Sequence, residues 1–142
     1  MDKKKSELPS SRCPFTQAPR VLVVEDDGLT RHLLRIALEN RGYQCLEAEN
    51  GLMGLEKLML HQVDAVISDQ QMPVMNGVDF IKELRTRFGE LAPPVILVSG
   101  DNFSDFQKQA KELGVSAYFE KPYHMESLLQ SVAVVIQNIS KG

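Results

Sequence analysis

The sequence predicts an α/β protein: a doubly wound sheet of five parallel strands with five helices. Two patterns carry that expectation. From Arg20 onward, short β-branched runs alternate with stretches whose apolar residues recur at helical spacing. One helix-length segment separates each run from the next, as right-handed crossovers between parallel strands require. With 142 residues, 43% of them hydrophobic, the chain can bury one continuous core without disulfides or a structural metal.

Residues 1–19 carry Pro9, Pro14 and Pro19 among Ser, Lys and Gln and lack an apolar period, so they read as a disordered leader. Residues 20–140 read as the folded domain. Residues 21–24 form the first strand, and Leu29, Leu33, Ile36 and Ala37 line the first helix, which stops at Gly42. Residues 44–48 form the second strand, and Asn50 caps a helix striped by Leu52, Leu55, Leu58 and Met59. Residues 64–68 are the third strand, and Val78, Ile81, Leu84 and Phe88 mark the third helix. Residues 95–98 are the fourth strand, followed by Phe103, Phe106, Ala110 and Leu113 at helical spacing. Residues 117–119 are the fifth strand. The last helix carries Met125, Leu128, Leu129, Val132, Val135, Ile136 and Ile139, a stripe broad enough to require a core.

Composition excludes several classes of function. The longest apolar run, residues 132–136, is far short of the roughly 18 residues of a membrane span. Lys3, Lys4 and Lys5 precede no apolar segment, so no secretory signal is expected and the chain is placed in the cytoplasm. Cys13 and Cys45 have no CxxC or Cys/His spacing and read as plain thiols. Residues 1–19 hold four basic and two acidic side chains, leaving 12 basic and 17 acidic from Arg20 onward. That net of −5 argues against a broad nucleic-acid-binding face. His32, His61 and His124 lack ligand spacing and are expected to face solvent, whereas the methionines are expected in core packing.

In such sheets ligands bind beyond the carboxyl ends of the strands. Glu25, Asp26 and Asp27 follow the first strand, Asp69 the third, Ser99 the fourth and Lys121 the fifth. Singly, each is explained by a helix cap or a solvated loop. Together they place three carboxylates, a hydroxyl and a lysine on one rim, provided the first and third strands are neighbours, as the order 2-1-3-4-5 requires. Crowded carboxylates repel unless a cation is present, and a hard divalent ion such as Mg²⁺ takes carboxylates together with water and phosphate oxygens. The rim is therefore phosphate-directed, with Asp69 the best-placed nucleophile for a phosphoryl group.

At these residues the chain resembles the receiver domain of two-component response regulators, a flavodoxin-like family. The resemblance is carried by Glu25-Asp26, by the strand and loop from Asp64 through Asp69 to Asn76-Gly77, by Val98-Ser99-Gly100 and by Lys121-Pro122. It implies that Asp69 is phosphorylated, with Ser99 and Lys121 serving the transfer. Asp26 and Asp69 would bind Mg²⁺ directly, Glu25 through water, and Gln71 through its backbone carbonyl. Asp27 falls outside the acidic pair and reads as a cap. Gln71 and Asp101 border the path of attacking water and would tune phosphate lifetime. Ser99 and Tyr118 would form the switch.

Gly77 and Gly100 suit tight backbone positions, and the resemblance implies a cis Lys121-Pro122 peptide. The resemblance implies a sensor histidine kinase or histidine phosphotransfer protein as donor, docking on a rim that includes Leu29 and the loop of Pro122 and Tyr123. It implies a downstream protein on the face of the fourth helix, fifth strand and fifth helix, with no direct contact to nucleic acid or membrane. The resemblance thus implies a signalling switch, limited to its own phosphorylation and dephosphorylation. A phosphatase of the haloacid-dehalogenase type usually carries Asp-x-Asp, whereas Asp69 is followed by Gln70 and Gln71. Nucleotide binding lacks its glycine-rich loops. A receiver that binds partners without phosphorylation is disfavoured by the complete acid, hydroxyl and lysine set.

Overall fold

The computed structural model describes residues 18–100 and 103–141. Its elements run β1 (Arg20–Val24), α1 (Gly28–Asn40), β2 (Gln44–Ala48), α2 (Gly51–Leu60), β3 (Ala65–Asp69), α3 (Gly77–Phe88), a 3-10 turn (Gly89–Leu91), β4 (Val95–Ser99), α4 (Phe103–Glu112), β5 (Ala117–Glu120) and α5 (Met125–Lys141). The five strands are parallel in the order β2-β1-β3-β4-β5, the flavodoxin-like arrangement the sequence predicts. The third strand begins one residue later than expected and runs through Asp69. The fourth runs through Ser99 and the fifth through Glu120.

Successive side chains of a strand point to opposite faces, and here each face has its own core. Val21, Val23, Ile67, Ile96 and Val98 meet Leu34 and Leu38 of α1 and Leu128, Leu129, Val132 and Val135 of α5. Leu22, Val24, Val66, Val95 and Leu97 meet Leu55 and Leu58 of α2, Phe80, Ile81 and Leu84 of α3, and Ala110 of α4. The central strands are covered on both sides, which is why they read as continuous apolar runs.

Side-chain caps start three helices: Asp27 accepts from the Thr30 N–H, Asn50 from Met53 and Asn76 from Asp79. Asp27 is thus the cap expected of it. None of the described helices is long and apolar enough to cross a membrane.

In the first helix the stripe read from the sequence is not the one that meets the sheet. Leu29, Leu33 and Ile36 are 67%, 50% and 42% exposed, and α1 is seated instead by Leu34 and Leu38, with Ala37 partly buried. The helix carries two apolar stripes, and periodicity alone picked the outer one. Leu52 and Met59 of α2 are likewise exposed. All three histidines face solvent, as expected. Cys45 is a free, buried thiol, and burial pushes its pKa up to about 12. Cys13 lies outside the described residues, as does most of the expected leader.

Candidate functional site

Glu25 leaves β1 in step with Val21 and Val23, so its side chain turns to the α1 and α5 face. It is 4% exposed. Its carbonyl accepts from the Arg31 guanidinium at 2.7 Å, and its Oε2 accepts from the Asp27 N–H at 3.1 Å. Arg31 is held in turn by Glu47 of β2 at 2.9 Å. Asp26, one residue on, points to solvent. Asp69 ends β3 on the same face as Glu25 and is also 4% exposed, with Oδ1 accepting from the Gln70 N–H at 3.0 Å.

Because β1 and β3 are neighbours, these acids converge: carboxylate oxygens of Glu25, Asp26 and Asp69 lie within 4.8 Å of one another. Lys121, following β5, brings its Nζ to 3.2 Å from Asp69 Oδ1 and 3.5 Å from Glu25 Oε1. The Lys121–Pro122 peptide is cis, as expected.

The electrostatics are those of a site short of positive charge. Burial, reinforced by the Asp69 carboxylate, pushes Glu25 up to about 7. Burial also raises Asp69, although Lys121 pulls it the other way. Burial would lower Lys121, but the carboxylates of Asp69 and Glu25 outweigh it and hold the ammonium above its ordinary value. One lysine does not neutralise three acids. An all-oxygen donor set with a charge deficit fits a hard divalent cation.

Ser99 is fully buried at the end of β4, on the opposite face from Asp69 and Glu25 by strand alternation. It shares a hydrogen bond with the Tyr118 hydroxyl, which burial raises in pKa and Ser99 draws back. Gln71 is exposed in the loop after β3. Asp101 lies outside the described residues. Gly77 is tight as expected: a Cβ there would sit 2.7 Å from the Asp69 carbonyl oxygen and 2.8 Å from Leu97 Cδ1. Gly100 is not, since the nearest atom, Lys121 Cβ, would be 3.7 Å away.

Two residues at the rim escaped sequence reasoning. Arg31 has a faint signal, an arginine one turn past a cap. Gln70 has none: a polar residue after a strand reads as loop, yet its side chain is buried and accepts from the Val78 N–H at 2.9 Å.

The profile of the family described as "Response regulator receiver domain" matches residues 21–133. The chain is 35% identical over 117 residues to "Transcriptional regulatory protein KdpE" of Mycobacterium tuberculosis, covering 82% of this chain and 50% of that protein. It is 32% identical over 143 residues to "Sensor histidine kinase RcsC" of Salmonella typhi, covering 96% of this chain and 15% of that one. It thus spans half or less of these relatives. Among solved structures, the signal receiver domain of a signal transduction histidine kinase from Syntrophus aciditrophicus matches with a TM-score of 0.80 at 27% identity, covering 88% of this chain and 95% of that one. Strand order, acidic rim and profile agree, and the chain belongs to the receiver-domain family of two-component response regulators.

Proposed function

We propose that residues 20–140 form a phosphoryl-accepting switch with Asp69 as the acceptor. The observation that carries this reading is the convergence of the Glu25, Asp26 and Asp69 carboxylates within 4.8 Å, with Lys121 Nζ 3.2 Å from Asp69. The donor is a phosphohistidine on a sensor histidine kinase or histidine phosphotransfer protein. An Asp69 oxygen attacks phosphorus, the P–N bond breaks, and the imidazole nitrogen leaves with its electron pair. Lys121 follows the charge that gathers on the phosphoryl oxygens. Glu25, Asp26, Asp69 and the Gln71 backbone carbonyl are the groups that would hold Mg²⁺. When bound, the ion neutralises the same oxygens and relieves the repulsion among the acids.

Phosphorylation adds about −2 of charge at Asp69. Ser99 donates to the new oxygens and gives up Tyr118, whose ring turns into the space released. The face of α4, β5 and α5 changes accordingly, altering affinity for a protein partner rather than for nucleic acid or membrane. Gln71 and Asp101 border the approach of water to phosphorus and set how long the acyl phosphate lasts before hydrolysis to inorganic phosphate. The donor docks on the outer stripe of α1. There Leu33, with Thr30, Lys121, Pro122, Tyr123 and Met125, lines an open cleft of about 470 Å³ beside the rim. The chain works in the cytoplasm and catalyses only its own phosphorylation and dephosphorylation.

Incubation with acetyl phosphate and Mg²⁺ tests the reading: intact-mass spectrometry should find one added phosphoryl group, abolished by Asp69→Asn. An unlabelled wild type, or a labelled Asp69→Asn, overturns it. Tyr118→Ala should label normally and lose the phosphorylation-dependent change in partner affinity.

A further inference from the structure

We propose that the buried side chain of Gln70 is a positioning residue for the site, fixing the loop that aims Asp69 and the Gln71 carbonyl at the metal. The inference rests on the reading of Asp69 and Mg²⁺ above. After Asp69 the chain must leave the sheet and enter α3 within seven residues, 70–76, beside a buried rim. Gln71, Pro73 and Val74 of that loop are exposed, but Gln70 is buried, so its own polar groups need protein partners.

Those partners lie on both sides of the loop. Its N–H lies 2.8 Å from the Val98 carbonyl oxygen and 3.0 Å from Asp69 Oδ1, tying β3 to β4 and holding the carboxylate. Its own carbonyl accepts from the Gly77 N–H at 3.0 Å. Its Oε1 accepts from Val78 N–H at 2.9 Å, a first-turn donor with no partner inside the helix. The loop is thus pinned at both ends by one residue. There is little slack, since a Cβ at Gly77 would lie 2.9 Å from Gln70 Oε1. At 2% exposure, the side chain has no solvent alternative. Gln71 is the next residue, so the direction of its carbonyl follows from how firmly Gln70 is held.

A bare helix cap would affect stability alone, whereas a positioning role also moves metal affinity. Gln70→Met keeps the length and removes the acceptor. Val135→Ala, a core truncation in α5, serves as a control for lost stability. In the metal-free full chain, amide exchange read by NMR should speed up at Val78 and Gly77 in Gln70→Met and not selectively in the control. A Mg²⁺ titration by NMR should then show a Kd raised about tenfold in Gln70→Met, against less than about twofold in the control. If Gln70→Met fails to fold, Gln70→Asn, one methylene too short to reach Val78, is held to the same criterion. A variant that binds Mg²⁺ as the wild type does overturns the role of Gln70 alone. A wild type that neither binds Mg²⁺ nor takes a phosphoryl group overturns both this role and the reading of Asp69.

Discussion

The two ends of the central strands are equally buried and opposite in chemistry. Through their middles, β1, β3 and β4 present Val21–Val24, Ala65, Val66, Ile67 and residues 95–98, all sealed from solvent. At their carboxyl ends, or just beyond, stand Glu25, Ser68, Asp69, Gln70 and Ser99, which are all the buried polar or charged side chains among the described residues. Burial of the first group stabilises the fold roughly in proportion to apolar area. Burial of the second costs stability unless every group is paired, and Glu25 and Asp69 share one lysine. The closed end of the molecule holds the fold together, and the open end spends part of that stability on a charged site.

The largest expected effect lies at the closed end. Leu38, fully buried, seats the last turn of α1 on the sheet. Leu38→Ala should lower unfolding free energy by about 3 kcal/mol, read by urea denaturation. Metal binding at the rim should persist in the folded fraction. A loss below about 1 kcal/mol would break the contrast between the two ends.

The next effect has the opposite sign. Glu25 stands at about 7 when folded against an ordinary 4.5, so between those values the folded chain binds more protons than the unfolded one. Metal-free stability should therefore fall as pH rises through that window and level off above it. Asp26, Asp69 and Lys121 face the same group, with Lys121 opposing the trend. Glu25→Gln removes the cost: at pH 8 without metal it should stabilise by about 1–2 kcal/mol, the full shift being softened by solvent at the open rim. At pH 3.5, where Glu25 is protonated in the folded and the unfolded chain alike, it should gain almost nothing. Equal gains at both values would mean that charge is not what burial penalises here.

The same contrast explains what was legible in the sequence. Strands sealed on both faces must be apolar, so their runs were recognised to within a residue or two, and the polar residues that ended them marked the rim. Glu25, Asp26 and Asp69 come together because β1 pairs in parallel with β3, and Lys121 reaches them from the end of β5. Gln70 was illegible because a buried amide and a loop amide are the same letter, and only the position of the Val78 N–H separates them. Which apolar stripe of α1 meets the sheet was illegible, because periodicity reports that a face is apolar without reporting what covers it.

A smaller effect belongs to the loop at the open end. Val74 has φ of 70°, a left-handed conformation that a β-branched residue adopts at a cost, and with 75% exposure it gains little packing in return. Val74→Asn, a residue at ease in that region, should stabilise by about 1 kcal/mol in a thermal or urea melt. A neutral or destabilising result would show that the loop is not strained at this position.

The smallest effect on stability is expected on the outer face of α1, and it sharpens the comparison because the same helix carries Leu38. Leu33 is half exposed, and on the proposed reading its stripe is covered only when a phosphodonor docks. Leu33→Gln keeps helix propensity and should change stability by no more than about 0.5 kcal/mol. Labelling by acetyl phosphate, which needs no docking, should match the wild type. Transfer from a phosphorylated histidine protein that labels the wild type should slow by about tenfold, as for an anchor at the centre of an interface. If transfer is unchanged while acetyl phosphate labelling falls, Leu33 acts on the chemistry of the rim instead, and the outer stripe of α1 is not where the donor binds.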